Sequence, residues 1–348
     1  MDNMDDITFA PELDMQLSRI GDPHYLHAKS MRELYETGFA YREPIIDDLL
    51  YAGTYLFVGP PKLGKSLCML HLAFCVSTGI SLWGYTVHQG PVLYLALEDD
   101  YCRLQTRLYR MFGADCSDNL YLSVVAKQIG SGLEEQLQGF VREHPGTKLV
   151  IIDTLQKVRE NASPMYSYAS DYEIITKLKE LAEKLEICLV LVHHTRKLAD
   201  SDSFNMISGT NGLLGAADGA FILLKNARTD NGATIEIVGR DQQEQKLYLI
   251  RDPTTLCWEL ERTEVESWVE PPNPVLEAVA QLVTRDSPLW SGTATALASA
   301  LGLDMPPNTL STHLNVNSGR LLKEYGIRYE RTRSRASRGI SLTLVASL

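Results

Sequence analysis

From Thr54 the chain alternates short apolar runs with longer segments of helical spacing. TYLFV (54–58), PVLYLAL (91–97), KLVIID (148–153) and ICLVLVH (187–193) are nearly continuous in apolar residues, the pattern of strands buried on both faces. Residues 64–78, 100–112, 132–143 and 171–184 between them read as helices. This alternation predicts an α/β fold around a mostly parallel central sheet. AFILL (220–224), TIEIVGR (234–240), KLYLI (246–250) and TLCWELE (255–261) then follow at close spacing, with turn residues such as Asp230, Asn231 and Gly232 between them. These predict antiparallel strands that extend one edge of the sheet.

The flanks differ from this core. Residues 1 to about 40 are charged and lack sustained periodicity, which predicts an arm with one short helix around Ser30 to Glu36. EPPNP (270–274) breaks the pattern and reads as a linker. Beyond it, Val275, Leu276, Val279, Leu282 and Val283 form one helical face, 293–301 a second short helix, and PPNTLSTHLNVNSGRLLKEYG contains a third. IRYERT and GISLTLV can pair as a hairpin around RSRASR. Three helices followed by a hairpin is the order of a winged helix. The expected division is thus an arm over 1–40, a core domain over 41–265 and a winged-helix domain over 275–348.

Composition adds limits. At 348 residues and 45% hydrophobic, the chain can fill one sizeable core and a small second domain. No apolar run reaches the roughly 18 residues of a membrane span, and the start MDNMDDITFAPELD is acidic where a signal peptide is basic. A cytoplasmic protein with no membrane partner is expected. The six cysteines are scattered without a CxxC pair, as free thiols packed in a reducing compartment would be. A net charge of −11 argues against a surface coated all round by nucleic acid, yet leaves room for a local basic site.

The strongest chemical signal is the run Gly59, Pro60, Pro61, Lys62, Leu63, Gly64, Lys65, Ser66, followed by Leu67. It matches GxxxxGK[ST] between an expected strand and an expected helix, the context this motif requires. A triphosphate needs converging backbone N–H groups and the positive end of a helix dipole, and a glycine-permitted loop supplies both. Lys65 would reach the β- and γ-phosphates of ATP and Ser66 would hold Mg²⁺.

Hydrolysis needs more than a cradle. Asp153 ends the buried run KLVIID, where a carboxylate is costly unless it faces a cation or water, which makes it the Walker B candidate for Mg²⁺; capping the next helix is its other reading. Glu98 ends VLYLALE and can deprotonate an attacking water, whereas Asp99 and Asp100 suit the start of the following helix. His193 and His194 sit at the tip of a fourth strand, where a polar side chain can touch the γ-phosphate; His194 is the better candidate.

These four blocks, in this order, resemble the RecA-like ATPases of the RepA type, the hexameric replicative helicases of plasmids and mobile elements. GPPKLGKS is similar to the family Walker A, LALEDD to its catalytic-Glu strand, VIIDT to its Walker B and VHHTRK to its sensor, and the likeness continues through SGTNGLLGAADGAFILL and GRDQQEQKLYLIRD. The resemblance covers roughly residues 40 to 261. It implies a RecA-like P-loop NTPase core that binds ATP and Mg²⁺ between subunits of a homo-oligomer, with a positive finger supplied by the neighbour. Arg240 in IVGRD fits the finger best, a salt bridge with Asp241 or another acid being the alternative.

Family motors hold single-stranded DNA on channel-facing loops, for which 157–171 and 196–212 qualify. The first offers Lys157, Arg159, Tyr166 and Tyr168, although Glu160, Asp171, Asp200 and Asp202 weaken the basic character of the two. In the tail, Arg320, Lys323, Arg328, Arg331, Arg333, Arg335 and Arg338 face only Glu324 and Glu330, a balance suited to duplex DNA, with protein docking as the alternative. The expected activity is that of an ATP-dependent DNA helicase or translocase in replication. An ATP-gated DNA-binding or helicase-loading switch is the second reading. A small-molecule kinase would have no use for the paired histidines and the basic tail.

Overall fold

The structure is a computed structural model that describes residues 24–26, 28–39, 41–159, 168–194, 211–225, 231–240, 242–265, 271–333 and 338–345. These fall into two compact units. One runs from Arg42 to Glu270; the other joins the described residues up to Tyr41, including helix α1 (Met31–Glu36), with those from Pro271 onward.

The larger unit is built on a sheet that has nine strands among the described residues. They are β1 (Gly53–Gly59), β2 (Val92–Ala96), β3 (Leu120–Ser123), β4 (Leu149–Asp153), β5 (Cys188–His194), β6 (Gly219–Lys225), β7 (Gly232–Gly239), β8 (Gln245–Arg251) and β9 (Trp258–Val265). The order is β3-β2-β4-β5-β1-β6-β7-β8-β9. Every pairing from β3 across to β6 is parallel, and those from β6 to β9 are antiparallel. The fold is thus a RecA-like α/β core with a mostly parallel central sheet.

Both faces of the sheet are covered, which explains why its central strands read as unbroken apolar runs. Tyr55 and Phe57 of β1 point into one core with Cys68, Met69 and Leu72 of α2 (Lys65–Thr78) and Leu104 of α3 (Tyr101–Phe112). Leu56 and Val58 point into the other, with Leu133 and Leu137 of α4 (Leu133–Glu143). That second core also takes Leu155 and Val158 of the short α5 (Leu155–Val158), Ile175 and Leu178 of α6 (Tyr168–Leu185), and Leu213 of α7 (Asn211–Ala216). The period of two along β1 is what splits its side chains between the two layers.

Some elements depart from the sequence reading. β3 is not among the expected strands although Leu120, Tyr121 and Leu122 are apolar; it is a short edge strand whose four residues are half-buried. β9 begins at Trp258 instead of 255, because the Asp252 side chain accepts from the N–H groups of Thr254 (2.6 Å) and Thr255 (2.7 Å) and holds them in a turn. Arg159, expected to face DNA, is instead buried in an ion pair with Asp171 at 2.9 Å. A buried guanidinium already paired with a carboxylate is unsuited to a solvent-facing phosphate contact. Glu160, Tyr166, Asp200 and Asp202 lie outside the described residues, as do 196–210 of the second expected loop and the side chain of Tyr168. The same holds for Arg335 and for the side chains of Arg333 and Arg338 in the tail.

The smaller unit follows α1 with α8 (Pro274–Leu282), β10 (Leu289–Gly292), α9 (Ala294–Leu301), α10 (Pro307–Val316), α11 (Ser318–Tyr325), β11 (Ile327–Arg333) and β12 (Arg338–Leu344). Its sheet has the order β10-β12-β11, antiparallel throughout. Leu276, Val279, Leu297, Leu310, Leu314, Leu321, Ile340 and Leu342 fill its core. The expected third helix is therefore two, α10 and α11. They break at Asn317, whose side-chain amide donates to the His313 carbonyl at 2.8 Å and closes the first helix. A further strand, β10, stands between α8 and α9.

α1 begins with a capping box, in which Ser30 and Glu33 exchange side-chain bonds with each other's backbone N–H. It packs on α10. The buried Asn315 side chain donates to the Tyr35 carbonyl at 3.0 Å and accepts from the Tyr329 hydroxyl at 2.9 Å. Arg331 donates to the Glu36 carbonyl at 3.0 Å.

Candidate functional site

β1 ends at Gly59 and α2 begins at Lys65, so the phosphate-loop motif is the turn between them. Two of its glycines are required by geometry. A Cβ at Gly59 would lie 2.8 Å from the Leu223 carbonyl oxygen, and Gly64, which caps α2, has φ 101°. Lys62 also adopts a positive φ of 65°. Such a curl converges successive backbone N–H groups into an anion-binding concavity at a helix N-terminus. Leu63 and Leu67 anchor it by packing on the core beneath.

Lys65 is buried and its ammonium is fully engaged. It donates to the Gly59 carbonyl (2.8 Å) and the Pro60 carbonyl (2.9 Å), and lies 3.1 Å from Nδ1 of His194. Burial pulls its pKa down to about 8 against the opposing pull of Asp153 and Glu98. His194 is also held below the usual histidine range, first by burial and then by the Lys65 cation. A neutral imidazole accepting at Nδ1 carries its proton on Nε2. The register pairs His194 with Gly59 and His193 with Val58, so the former stands at the loop while the latter is buried one residue back.

The two acids come from the neighbouring strands. Asp153 ends β4 and is buried; burial raises its pKa, opposed by hydrogen bonds from the Tyr94 hydroxyl at 2.6 Å and from Ser66. Ser66 and Asp153 thus present two hard oxygen ligands side by side. Glu98 lies just past β2, is exposed, and accepts from the Thr154 hydroxyl at 3.0 Å. The adjoining acids are occupied elsewhere: Asp99 pairs with Arg103 and Arg107, and Asp100 caps α3 by accepting from the Arg103 N–H at 2.9 Å. Glu98 is therefore the acid of this triplet that faces solvent beside Asp153. Among the described residues no cluster of three or more His, Cys, Asp or Glu is placed to hold a metal.

Arg240 is elsewhere. Gly239 pairs with Gly219, and Gly219 pairs with Tyr55, four residues before Gly59. Arg240 is one residue further, opposite Asp218 and Thr54, so roughly 16 Å along the strands separates it from the phosphate loop of its own chain. Its guanidinium is 59% exposed and only 4.0 Å from Asp218, which is already bound to Lys179 and to the Thr54 N–H. Asp241 lies outside the described residues.

Sequence reasoning missed three groups here. Tyr94 steadies Asp153, Thr154 steadies Glu98, and Trp258 donates from its indole to the Gly64 carbonyl at 3.4 Å with Arg251 beside its ring. Tyr94 alone carried a signal, because a buried phenol within an apolar strand must find an acceptor.

Tyr94→Phe removes a donor that favours ionised Asp153, so that carboxyl should titrate higher still. The fold should lose about 1–2 kcal/mol at pH 7 and less near pH 3, where the acid is protonated in both states. Urea unfolding at the two pH values measures this, and equal losses at both would exclude the carboxylate as the cause.

The order of elements agrees with comparisons to known proteins. A solved structure described as an ATPase domain is similar with a TM-score of 0.50 at 17% identity, over 60% of this chain and 84% of that one. A DnaB-like replicative helicase, described with its interactions with primase, gives a TM-score of 0.53 at 14% identity, over 71% of this chain and 70% of that one. At such identities the likeness concerns the fold. No curated protein matches the sequence. A family model, described as an AAA domain, matches residues 24–200, just over half of the chain. The chain belongs to this AAA domain family.

Proposed function

We propose that the chain is an ATP-dependent DNA helicase or translocase of the RepA type, acting in the cytoplasm as a homo-oligomer, most simply a hexamer, in replication of a plasmid or mobile element. One observation carries the reading: Lys65, Ser66, Asp153, Glu98 and His194 gather at the carboxyl ends of β1, β4, β2 and β5. The residues fit MgATP. The loop offers converging N–H groups and a buried ammonium to phosphates, while Ser66 and Asp153 supply the oxygen ligands that Mg²⁺ takes alongside phosphate and water. Mg²⁺, when bound, would neutralise charge on the phosphate oxygens.

The chain's own groups then divide the work. Lys65 trades its neutral carbonyl acceptors for charged phosphate oxygens, which make stronger hydrogen bonds. Glu98, exposed and tethered by Thr154, takes the proton of an attacking water. His194, sharing the Lys65 ammonium, feels any change in what that cation binds and lies at the end of β5, where the segment beginning at residue 195 departs. Arg240 is too far from its own phosphate loop, so its role in hydrolysis is in trans, at a neighbour's site.

For the smaller unit the proposed fold is a winged helix, a reading supported by its closing β11–β12 hairpin, and the proposed partner there is duplex DNA. Single-stranded DNA would be held by the segments that follow β4 and β5, Lys157 being the exposed one of the two described basic residues at the start of the first. The likeness to a solved DnaB-like replicative helicase supports this reading through fold alone. Strand displacement with ATP and with a nonhydrolysable analogue tests it. ATP turnover without displacement would favour the ATP-gated switch.

Glu98→Gln should keep ATP binding while turnover falls by about 10² or more; loss of binding as well would make Glu98 structural. ATP affinity should be flat below pH 7 and weaken above about pH 8, toward tenfold per unit, because only protonated Lys65 binds phosphate and its pKa is about 8. Lys65→Ala should bind weakly with no such pH dependence, measured with a fluorescent nucleotide from pH 6.5 to 9. Arg240→Ala should bind ATP yet not complete hydrolysis. Mixing it with Glu98→Gln should recover turnover at interfaces that pair an intact base with an intact finger. No recovery in proven mixed oligomers would refute action in trans.

A further inference from the structure

The smaller unit contains a cleft of about 530 Å³, apart from the nucleotide site. α1 forms one wall with Arg32 and Glu36, α10 forms the other with Asn308, Thr309 and Thr312, and Arg331 of β11 joins them. The width of the cleft is set by a buried junction. Asn315 links the Tyr35 carbonyl to the Tyr329 hydroxyl, and Arg331 binds the Glu36 carbonyl, so the walls are tied together independently of any occupant.

The lining selects the chemistry. Two guanidinium groups flank a row of small amide and hydroxyl side chains, against one carboxylate. Guanidinium forks match phosphate oxygens, and Asn and Thr side chains suit phosphates, sugars and base edges. An amphipathic peptide helix would need a row of large apolar side chains, and of the lining residues only Met31 and Tyr35 are of that kind. The surrounding tail is basic in a chain of net charge −11, which favours a polyanion.

We propose that the cleft between α1 and α10 binds the backbone of duplex DNA, with Arg32 and Arg331 as phosphate ligands. The N-terminal helix and the C-terminal fold are then one DNA-binding element. This rests on the proposed DNA-handling function and deepens it, because that function assigned the duplex to the smaller unit without saying which of its elements hold the backbone.

The test is fluorescence anisotropy of the full chain on a labelled duplex across a salt series, without nucleotide. Arg32→Ala should weaken binding about tenfold and flatten the salt slope by about one. Glu36→Gln should act in the opposite direction, tightening binding roughly threefold as a repelled charge is removed. A structural role for α1 would not produce changes of opposite sign. Arg331→Ala is less clean because it also frees the Glu36 carbonyl, so Arg32 and Glu36 carry the decision. Unchanged affinity and slope in both variants, shifts in the same direction, or no duplex binding by the wild type would overturn the proposal. Strand displacement and ATP turnover are read separately. A helicase whose duplex affinity ignores Arg32 loses only the cleft; a chain that binds through Arg32 but hydrolyses no ATP loses only the enzymatic reading.

Discussion

The placement of one buried ammonium organises the larger unit. Burying Lys65 is costly, and the cost is met by two loop carbonyls and a neutral imidazole, with Asp153 and Glu98 near enough to favour the charged form. Each partner comes from a different stretch of chain. Only a parallel sheet that sets β5 between β1 and β4, with β2 beyond, brings their carboxyl ends to one place. Burial, and after it the same cation, lower the pKa of His194, which favours the neutral ring that can accept from the cation. Neither group would keep this state if the strands were ordered otherwise.

What the sequence made legible were the features where local chemistry contradicts local pattern. A glycine-bounded loop between a strand and a helix, or a carboxylate at the end of a buried apolar run, is anomalous without any knowledge of neighbours. Lys65, Asp153 and Glu98 were visible for that reason. The strand order was not visible, so the partners that steady these residues were hidden. Tyr94 signals that a buried phenol needs an acceptor, but which acceptor is hidden until β2 is known to lie beside β4, where it meets Asp153. Trp258 could not be connected to Gly64 across 194 positions.

Charge misled where burial decided the outcome. Arg159 lies in a polar stretch and reads as a surface cation, yet Asp171 twelve residues later takes it into the interior. The acid that weakened the case for a basic loop was its partner. The break at NVNSG has a similar character. By pattern it interrupts a reading helix, whereas in the fold Asn315 joins three elements and Asn317 closes α10. Polar residues within a helical pattern are ambiguous until their acceptors are known.

The antiparallel edge has a consequence for how the site can work. β6 continues the parallel direction of β1, and β7 then reverses it, so a residue at the end of β7 is carried to the amino ends of the parallel strands. Arg240 therefore faces away from the phosphate loop of its own chain, with most of its guanidinium in solvent and its nearest acid already shared with Lys179. An exposed arginine held at the far end of a rigid sheet cannot be brought to its own site by a side-chain rotation. The proposed role of Arg240 in hydrolysis is for this reason one at the site of a second copy of the chain, and that proposal stands or falls with an oligomer.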